Sequence, residues 1–248
     1  MDNKVVVITG ASSGIGAALA ELLGRRGASL GLVARRADAL RAAAARSGDS
    51  AFAIVADVTR RDDIHRAVEH AIGRFGHIDV WVNNAGQGIT RSPSQLTDED
   101  VDEMMRINVK SVLYGTQEVL PHFQSRGAGH VINVSSMLGR VPFATFRSAY
   151  SASKHYVNAL TAMFRDEIRE THPGIQISLV SPGVVKTEFG LNARHGGPDS
   201  RQLPGGQSPE EVAAVIAGVI ESRLPDVYTV AGAHERVADY YASIGTNA

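Results

Sequence analysis

Short runs of β-branched and aliphatic residues recur along the chain, separated by longer stretches whose apolar positions follow helical spacing. Val5–Ile8, Leu30–Val33, Phe52–Val55, Val80–Val82, Val131–Val134 and Ile175–Val180 predict buried strands, with Val227–Val230 a weaker seventh. After the first run, Ile15, Ala18, Leu19, Leu22 and Leu23 are spaced to share one helix face. Gly24 and Gly27 flank the end of that helix, where left-handed backbone is expected. Thr97-Asp-Glu-Asp100 has the form of a capping box, and Ser208-Pro209-Glu-Glu211 adds proline at the first helical position. This alternation predicts an α/β fold, a doubly wound parallel sheet of about seven strands with helices on both faces. No repeat or linker divides the chain, so residues 1–248 are expected to form one domain.

One stretch departs from the rhythm. Residues 187–207 carry Gly190, Gly196, Gly197, Pro198, Pro204, Gly205 and Gly206 with few apolar positions. A loop this long in a compact domain is a lid, a binding loop or a surface insertion. Its place after a late strand, on the side where such sheets bind ligands, favours a lid over about 187–208.

Composition narrows the function classes. With 25 basic and 26 acidic residues, the chain has no electrostatic footprint for nucleic acid or an anionic membrane. It has no cysteine, which removes thiolate nucleophiles, thiolate zinc sites and redox pairs. The histidines show no ligand spacing, so no metal is expected. No apolar run approaches a membrane span. The apolar stretch after Met1-Asp2-Asn3-Lys4 is too short for a secretory signal, so a cytoplasmic location is expected.

The candidate chemistry starts at Thr9-Gly10-Ala-Ser12-Ser13-Gly14-Ile15-Gly16, which leaves a strand and opens a helix. Glycines there let the backbone approach a pyrophosphate, and the helix N-terminus supplies free N–H groups. The second strand ends at Ala34, followed by Arg35 and Arg36. An acidic residue at such a strand end would bind the ribose hydroxyls of NAD, whereas arginine suits the 2′-phosphate of NADP. NADP(H) is therefore expected, with NAD(H) the alternative; Asp38 reads as part of the next helix's first turn. Further on, Tyr150 and Lys154 stand one helical turn apart, so a phenol and an ammonium could share a site. A neighbouring cation would lower the phenol pKa.

In order along the chain, Thr9-Gly-x3-Gly-Ile-Gly16, Asp57-Val58, Asn83-Asn-Ala-Gly86, Asn108, Ser136, Tyr150-x3-Lys154 and Pro182-Gly183-x-Val185-x-Thr187 match one set of motifs. On these the sequence resembles the short-chain dehydrogenase/reductase family, in its shorter single-domain branch, over residues 4 to about 230. The resemblance implies a Rossmann-like fold and hydride transfer between a nicotinamide cofactor and a carbonyl or secondary alcohol. It assigns Tyr150 as proton donor and acceptor, Lys154 to its pKa and to the nicotinamide ribose, and Ser136 to the substrate carbonyl oxygen. Asn108 would anchor a water linking Lys154 to solvent. Gly10, Ser12, Ser13, Gly14, Ile15 and Gly16 would hold the pyrophosphate end, and Asp57 and Val58 the adenine. Asn84, Ala85 and Gly86 would support the adenine ribose and the sheet. Pro182, Gly183, Val185 and Thr187 would hold the nicotinamide.

Ser136 and Tyr150 are 14 residues apart, one more than the family's usual interval. The extra residue is placed in the 139–148 loop. Met137, Leu138, Val141, Phe143, Phe146, Phe189 and Leu191 fall where the family builds its substrate pocket and suggest an apolar ketone or alcohol. Arg91, Arg140, Arg147, Arg194 and His195 lie nearby and could favour an anionic group. By the same analogy, the 98–124 and 149–171 helical stretches would join a homodimer or homotetramer, with His155 at an interface or in the core. A ketone or aldehyde reductase is the leading reading. The rivals are a nucleotide-sensing protein without turnover, an NAD-preferring alcohol dehydrogenase, and a lyase or epimerase that uses the nucleotide transiently.

Overall fold

The computed structural model describes residue 1 and residues 3–245. Asp2 and residues 246–248, the ends of the expected 1–248 domain, lie outside the described residues. The strands are β1 (Val5–Thr9), β2 (Ser29–Ala34), β3 (Ala51–Val55), β4 (Val80–Asn83), β5 (Gly129–Val134), β6 (Ile175–Ser181) and β7 (Asp226–Tyr228). The helices are α1 (Gly14–Arg25), α2 (Ala37–Arg46), α3 (Arg61–Phe75), α4 (Asp98–Met104), α5 (Ser111–Arg126), α6 (Ser148–Thr171), α7 (Pro209–Ser222) and α8 (Ala233–Ser243). Among the described residues these strands form one parallel sheet in the order β3-β2-β1-β4-β5-β6-β7. The expected Rossmann-like α/β fold is the one observed.

Side-chain alternation along each strand builds two cores. Val6, Ile8, Leu30, Leu32, Val80, Val82, Ile132 and Val134 face α1, α2 and α7. Val7, Val33, Trp81 and Val131 face α3, α5 and the end of α6. The strands are buried on both sides, which is why they read as continuous apolar runs. The strand order reverses between β1 and β4, which opens a crevice at the C-terminal strand ends.

Several local expectations need adjustment. On α1 the buried face is Gly16, Ala17, Leu19, Ala20 and Leu23, while Ile15, Ala18 and Leu22 sit at its margin. The sheet and α7 enclose the helix over a broad face, so Ala17 and Ala20 are buried beside Leu19 and Leu23. Gly27 is left-handed as expected (φ 80°), but Gly24 is not; it lies inside α1, where a Cβ would sit 1.8 Å from the Ser47 carbonyl oxygen. Close helix-to-loop approach, not turn geometry, requires that glycine. β7 ends at Tyr228, short of Val230, because its pairing with β6 stops at Ser181. Both capping boxes form, at Thr97 and Ser208. Asp38 does lie in the first turn of α2. The long stretch containing Asn108 is α4, then a π-helical turn at Met105–Lys110, then α5.

Candidate active site

Loops from the C-terminal ends of β1, β4, β5 and β6 meet around a cavity of about 820 Å³. After β1, Gly10 (φ 67°) and Gly14 (φ 56°) take backbone conformations that favour glycine. The loop is fastened to β4. Thr9 Oγ1 accepts from the Asn84 and Ala85 N–H groups (3.0 and 3.1 Å). The Asn84 amide donates to the Thr9 and Gly10 carbonyls (3.0 and 3.3 Å). A Cβ on Gly16 would fall 2.4 Å from the Gly10 carbonyl, so this packing admits no side chain. Ser13 caps α1 without a side-chain bond, which leaves the first-turn N–H groups open to an anion.

Gly10, Ser12, Ser13, Gly14, Ile15, Arg35, Arg36, Asp57, Val58, Asn84, Ala85 and Gly86 line this part of the cavity, whereas Gly16 packs behind it. Arg36 reaches back to donate to the Ser12 and Ser13 hydroxyls (3.3 and 3.1 Å), joining the strand-end arginines to the glycine loop. Asp57 Oδ1 accepts from the Thr59 N–H and hydroxyl (3.0 and 2.8 Å). Burial opposes the Asp57 charge, but those bonds, with Arg35 and Arg106, hold its carboxyl below the usual range. The cavity's volume, open helix N-terminus and glycine cradle suit a dinucleotide in size and charge.

The other half of the cavity carries the reactive groups. Ser136 follows β5, and its Oγ accepts from the Leu138 N–H (3.1 Å). α6 presents Tyr150 and Lys154 inward, 7% and 3% exposed, respectively. Lys154 Nζ donates to the Val134 carbonyl (2.9 Å) and lies 5.8 Å from the Tyr150 ring centre. Burial lowers the Lys154 pKa to about 8. Burial also raises the Tyr150 pKa, outweighing the Ser136 hydroxyl and the Arg147 guanidinium that favour the phenolate. A net depression of the phenol, expected from the Tyr-Lys spacing, is thus not what the protein alone produces; loss of water around the ring prevails.

Asn108 is fully buried in the π turn rather than solvated. Its Oδ1 accepts from the Gln87 N–H (2.9 Å), and its Nδ2 donates to the Gln87 carbonyl (2.9 Å) and Ser153 Oγ (3.1 Å). The amide therefore ties the turn to the loop after β4 and to α6. A Cβ on Gly86 would lie 3.1 Å from Asn108 Oδ1 and 3.6 Å from Lys154 Nζ, so Gly86 keeps open the space between them.

Pro182, Gly183, Val185 and Thr187 line the cavity after β6, as do Met137, Leu138, Phe143, Phe146 and Phe189. Phe189 packs edge-on against Tyr150, ring centres 5.5 Å apart. Val141 and Leu191 do not line it; Leu191 turns to solvent. Ser136 and Tyr150 face one cavity. The 187–207 segment forms part of the wall through Phe189, Asn192, Pro198, Ser200, Arg201 and Leu203.

That segment is anchored by a cluster the sequence reading did not foresee. Buried Asp100 accepts from Arg194 Nε (2.6 Å) and His195 Nε2 (2.7 Å) on one oxygen and from Arg91 Nη1 (3.1 Å) on the other. Burial opposes its charge, yet hydrogen bonds from His195, Arg194 and the Thr97 N–H hold the carboxyl well below the usual range. In the sequence Asp100 showed only its capping role. Gln87, Ala144, Asn192 and Arg201 also line the cavity without a motif to mark them.

The sequence model of the short chain dehydrogenase family matches residues 4–196, which include the glycine loop, Asn108, Ser136, Tyr150, Lys154 and Thr187. The chain is a member of the short chain dehydrogenase family. An uncharacterized oxidoreductase of Staphylococcus epidermidis is 38% identical over 184 residues, 74% of this chain and 79% of that one. A short chain dehydrogenase/reductase of Burkholderia phymatum in complex with NAD superposes with a TM-score of 0.88 at 26% identity, covering 96% of this chain and 92% of that one. An alcohol dehydrogenase of the archaeon Thermococcus sibiricus, complexed with 5-hydroxy-NADP, gives a TM-score of 0.78 at 28% identity, covering 92% and 96%. As a short chain dehydrogenase the chain belongs to an oxidoreductase family, and its parallel sheet matches those neighbours. Among the described residues no helix is long and apolar enough to cross a membrane.

Proposed function

We propose that the protein transfers a hydride between NADP(H) and a carbonyl or secondary alcohol, acting as a ketone or aldehyde reductase. The observation that carries this reading is the buried trio of Ser136, Tyr150 and Lys154 on the wall of the same cavity that the glycine loop opens. A bound nicotinamide supplies or accepts the hydride. Val185 and Thr187 would hold its carboxamide end, and Lys154 would hold the adjoining ribose. The Ser136 hydroxyl donates to the substrate carbonyl oxygen and fixes its position. The Tyr150 hydroxyl gives its proton to that oxygen during reduction and takes it back during oxidation. A phenol with a raised pKa is a weak proton donor, so the Lys154 ammonium serves chiefly to stabilise the phenolate left by the transfer. Asn108 acts by holding the π turn and Gly86 in register, and supports a water route from Lys154 to solvent.

The NADP preference is supported by the Arg36 bonds to Ser12 and Ser13, which keep a guanidinium beside the glycine loop. NAD(H) is the competing reading, since the Burkholderia neighbour is in complex with NAD. Exposed Tyr156 and Met163 on α6, with Val101 on α4, support assembly into a homodimer or homotetramer through these helices. Turnover with a panel of ketones, aldehydes and secondary alcohols, run with NADPH and NADH, tests the proposal. Oxidation of NADPH by at least one carbonyl is expected; no hydride transfer with any member would remove the reductase reading.

A further inference from the structure

Resting on that reading, we propose that the substrate carries a carboxylate close to its reacting carbonyl, and that Arg147 is the residue that binds it. Arg147 stands three residues before Tyr150, at the N-cap of α6, and lines the cavity. It is 7% exposed, an unusual state for an arginine unless an anion accompanies it. No carboxylate of the described residues lies within ion-pair distance of it. Among the described residues, the guanidinium's one hydrogen bond runs from Nη1 to the Ile89 carbonyl (3.3 Å).

The surroundings are shaped to hold the guanidinium without neutralising it. A Cβ on Gly88 would lie 3.0 Å from Nη1, and one on Gly197 3.1 Å from Nη2, so two glycines make room for it. The Phe146 ring packs against it, with the guanidinium carbon 5.4 Å from the ring centre. The buried Thr90 hydroxyl, which has no partner among the described residues, borders the same Gly197 position. Of the other cavity-wall cations, Arg201 pairs with Asp199 and Glu188, and Lys154 donates to the Val134 carbonyl. Buried polar groups are nearly always satisfied, so a cation left open beside a reactive phenol calls for an anionic ligand group. A planar, singly charged carboxylate fits the fork of one guanidinium. Substrates of this class are oxo acids and the corresponding hydroxy acids. Reduction places the hydride on carbon and the Tyr150 proton on oxygen and leaves the carboxylate intact.

The test compares benzoylformate with its methyl ester, which present the same ketone with and without the charge. In the wild-type protein kcat/KM should favour the acid. In Arg147→Gln the acid-to-ester ratio should fall by roughly 10- to 100-fold, the range expected for loss of one charged hydrogen-bonded contact. Arg147→Lys should recover part of the ratio. Because both substrates report on the same enzyme, a partly unfolded preparation does not alter the ratio. An unchanged ratio would overturn the proposal and leave Arg147 as a packing residue. A shift in the pH profile of both substrates together, with the ratio intact, would overturn it equally and assign Arg147 to Tyr150. Calorimetric titration of benzoate and benzamide, with and without NADP⁺, gives a readout free of turnover. Benzoate binding that requires Arg147 upholds the anion site even if no substrate is reduced; equal binding of both probes to wild type and Arg147→Gln refutes it.

Discussion

Lys154 offers a stability test that is independent of any substrate. Its ammonium is buried against α6 and β5, donates to the Val134 carbonyl, and has its pKa lowered by burial from 10.5 to about 8. A base with a lowered pKa disfavours the folded state while it is charged. The penalty is present in full below about pH 8 and disappears above the unfolded value near 10.5. At about 1.4 kcal/mol per pKa unit, the difference corresponds to roughly 3 kcal/mol at pH 7. Lys154→Met keeps the length of the side chain and removes the charge. It also removes the charged bond to Val134, a loss of about 1.5–3 kcal/mol. The variant should therefore be at least as stable as wild type at pH 7, by up to about 1.5 kcal/mol, raising Tm by up to roughly 6 °C in a chain of this size. Activity should be lost in the same variant, as expected where a catalytic group is held at the expense of stability. Calorimetric unfolding at pH 7, 8, 9 and 10, without cofactor, measures both effects. The gap between the two proteins should narrow steadily above pH 8. A destabilised variant at pH 7, or a gap that does not change with pH, would refute the reasoning.

Further outcomes are expected. Replacing Arg35 and Arg36 together with alanine should raise the KM for NADPH about 10- to 100-fold while changing that for NADH by no more than about threefold; steady-state kinetics with both cofactors decides, and equal effects would mean that the 2′-phosphate is held elsewhere. Asp100→Asn should cost about 3–5 kcal/mol, because Arg91, Arg194 and His195 lose a buried carboxylate partner. In wild type the stabilisation from Asp100 is complete above the unfolded carboxyl value near 3.8 and is lost as pH falls below it, since the folded pKa is depressed. Hydrogen exchange should show residues 188–207 exchanging faster in Asp100→Asn, and slower in wild type when cofactor and substrate bind; unchanged protection in both would separate the loop from this anchor.

The fold was legible because its signals are local. Val5–Ile8 and Val131–Val134 read as strands since both faces of the sheet are covered, and Thr97 and Ser208 mark helix starts through bonds made within one turn. The order of glycines, Ser136, Tyr150 and Lys154 was equally visible, because each motif is fixed by a strand end or a helical repeat. Other features depend on contacts between distant segments. Gly24 is explained by Ser47, and the inner face of α1 by the sheet and α7. The π turn at Asn108 depends on Gln87 and Ser153. Arg91, Arg140, Arg147, Arg194 and His195 formed one undivided group of nearby basic residues in the sequence. Tertiary structure divides them, giving Arg91, Arg194 and His195 to Asp100 and Arg140 to Asp226, and leaving Arg147 open at the cavity.

The central claim is that Tyr150 is the proton donor of a nicotinamide-dependent reductase. Its most direct test is the rate of NADPH consumption, followed by nicotinamide absorbance, for wild type and Tyr150→Phe on whichever carbonyl the panel identifies. The substitution removes the hydroxyl and leaves the ring against Phe189. A loss of kcat of about 10²- to 10⁴-fold, with NADPH still bound, is the expected result. Turnover by Tyr150→Phe at the wild-type rate would contradict the account.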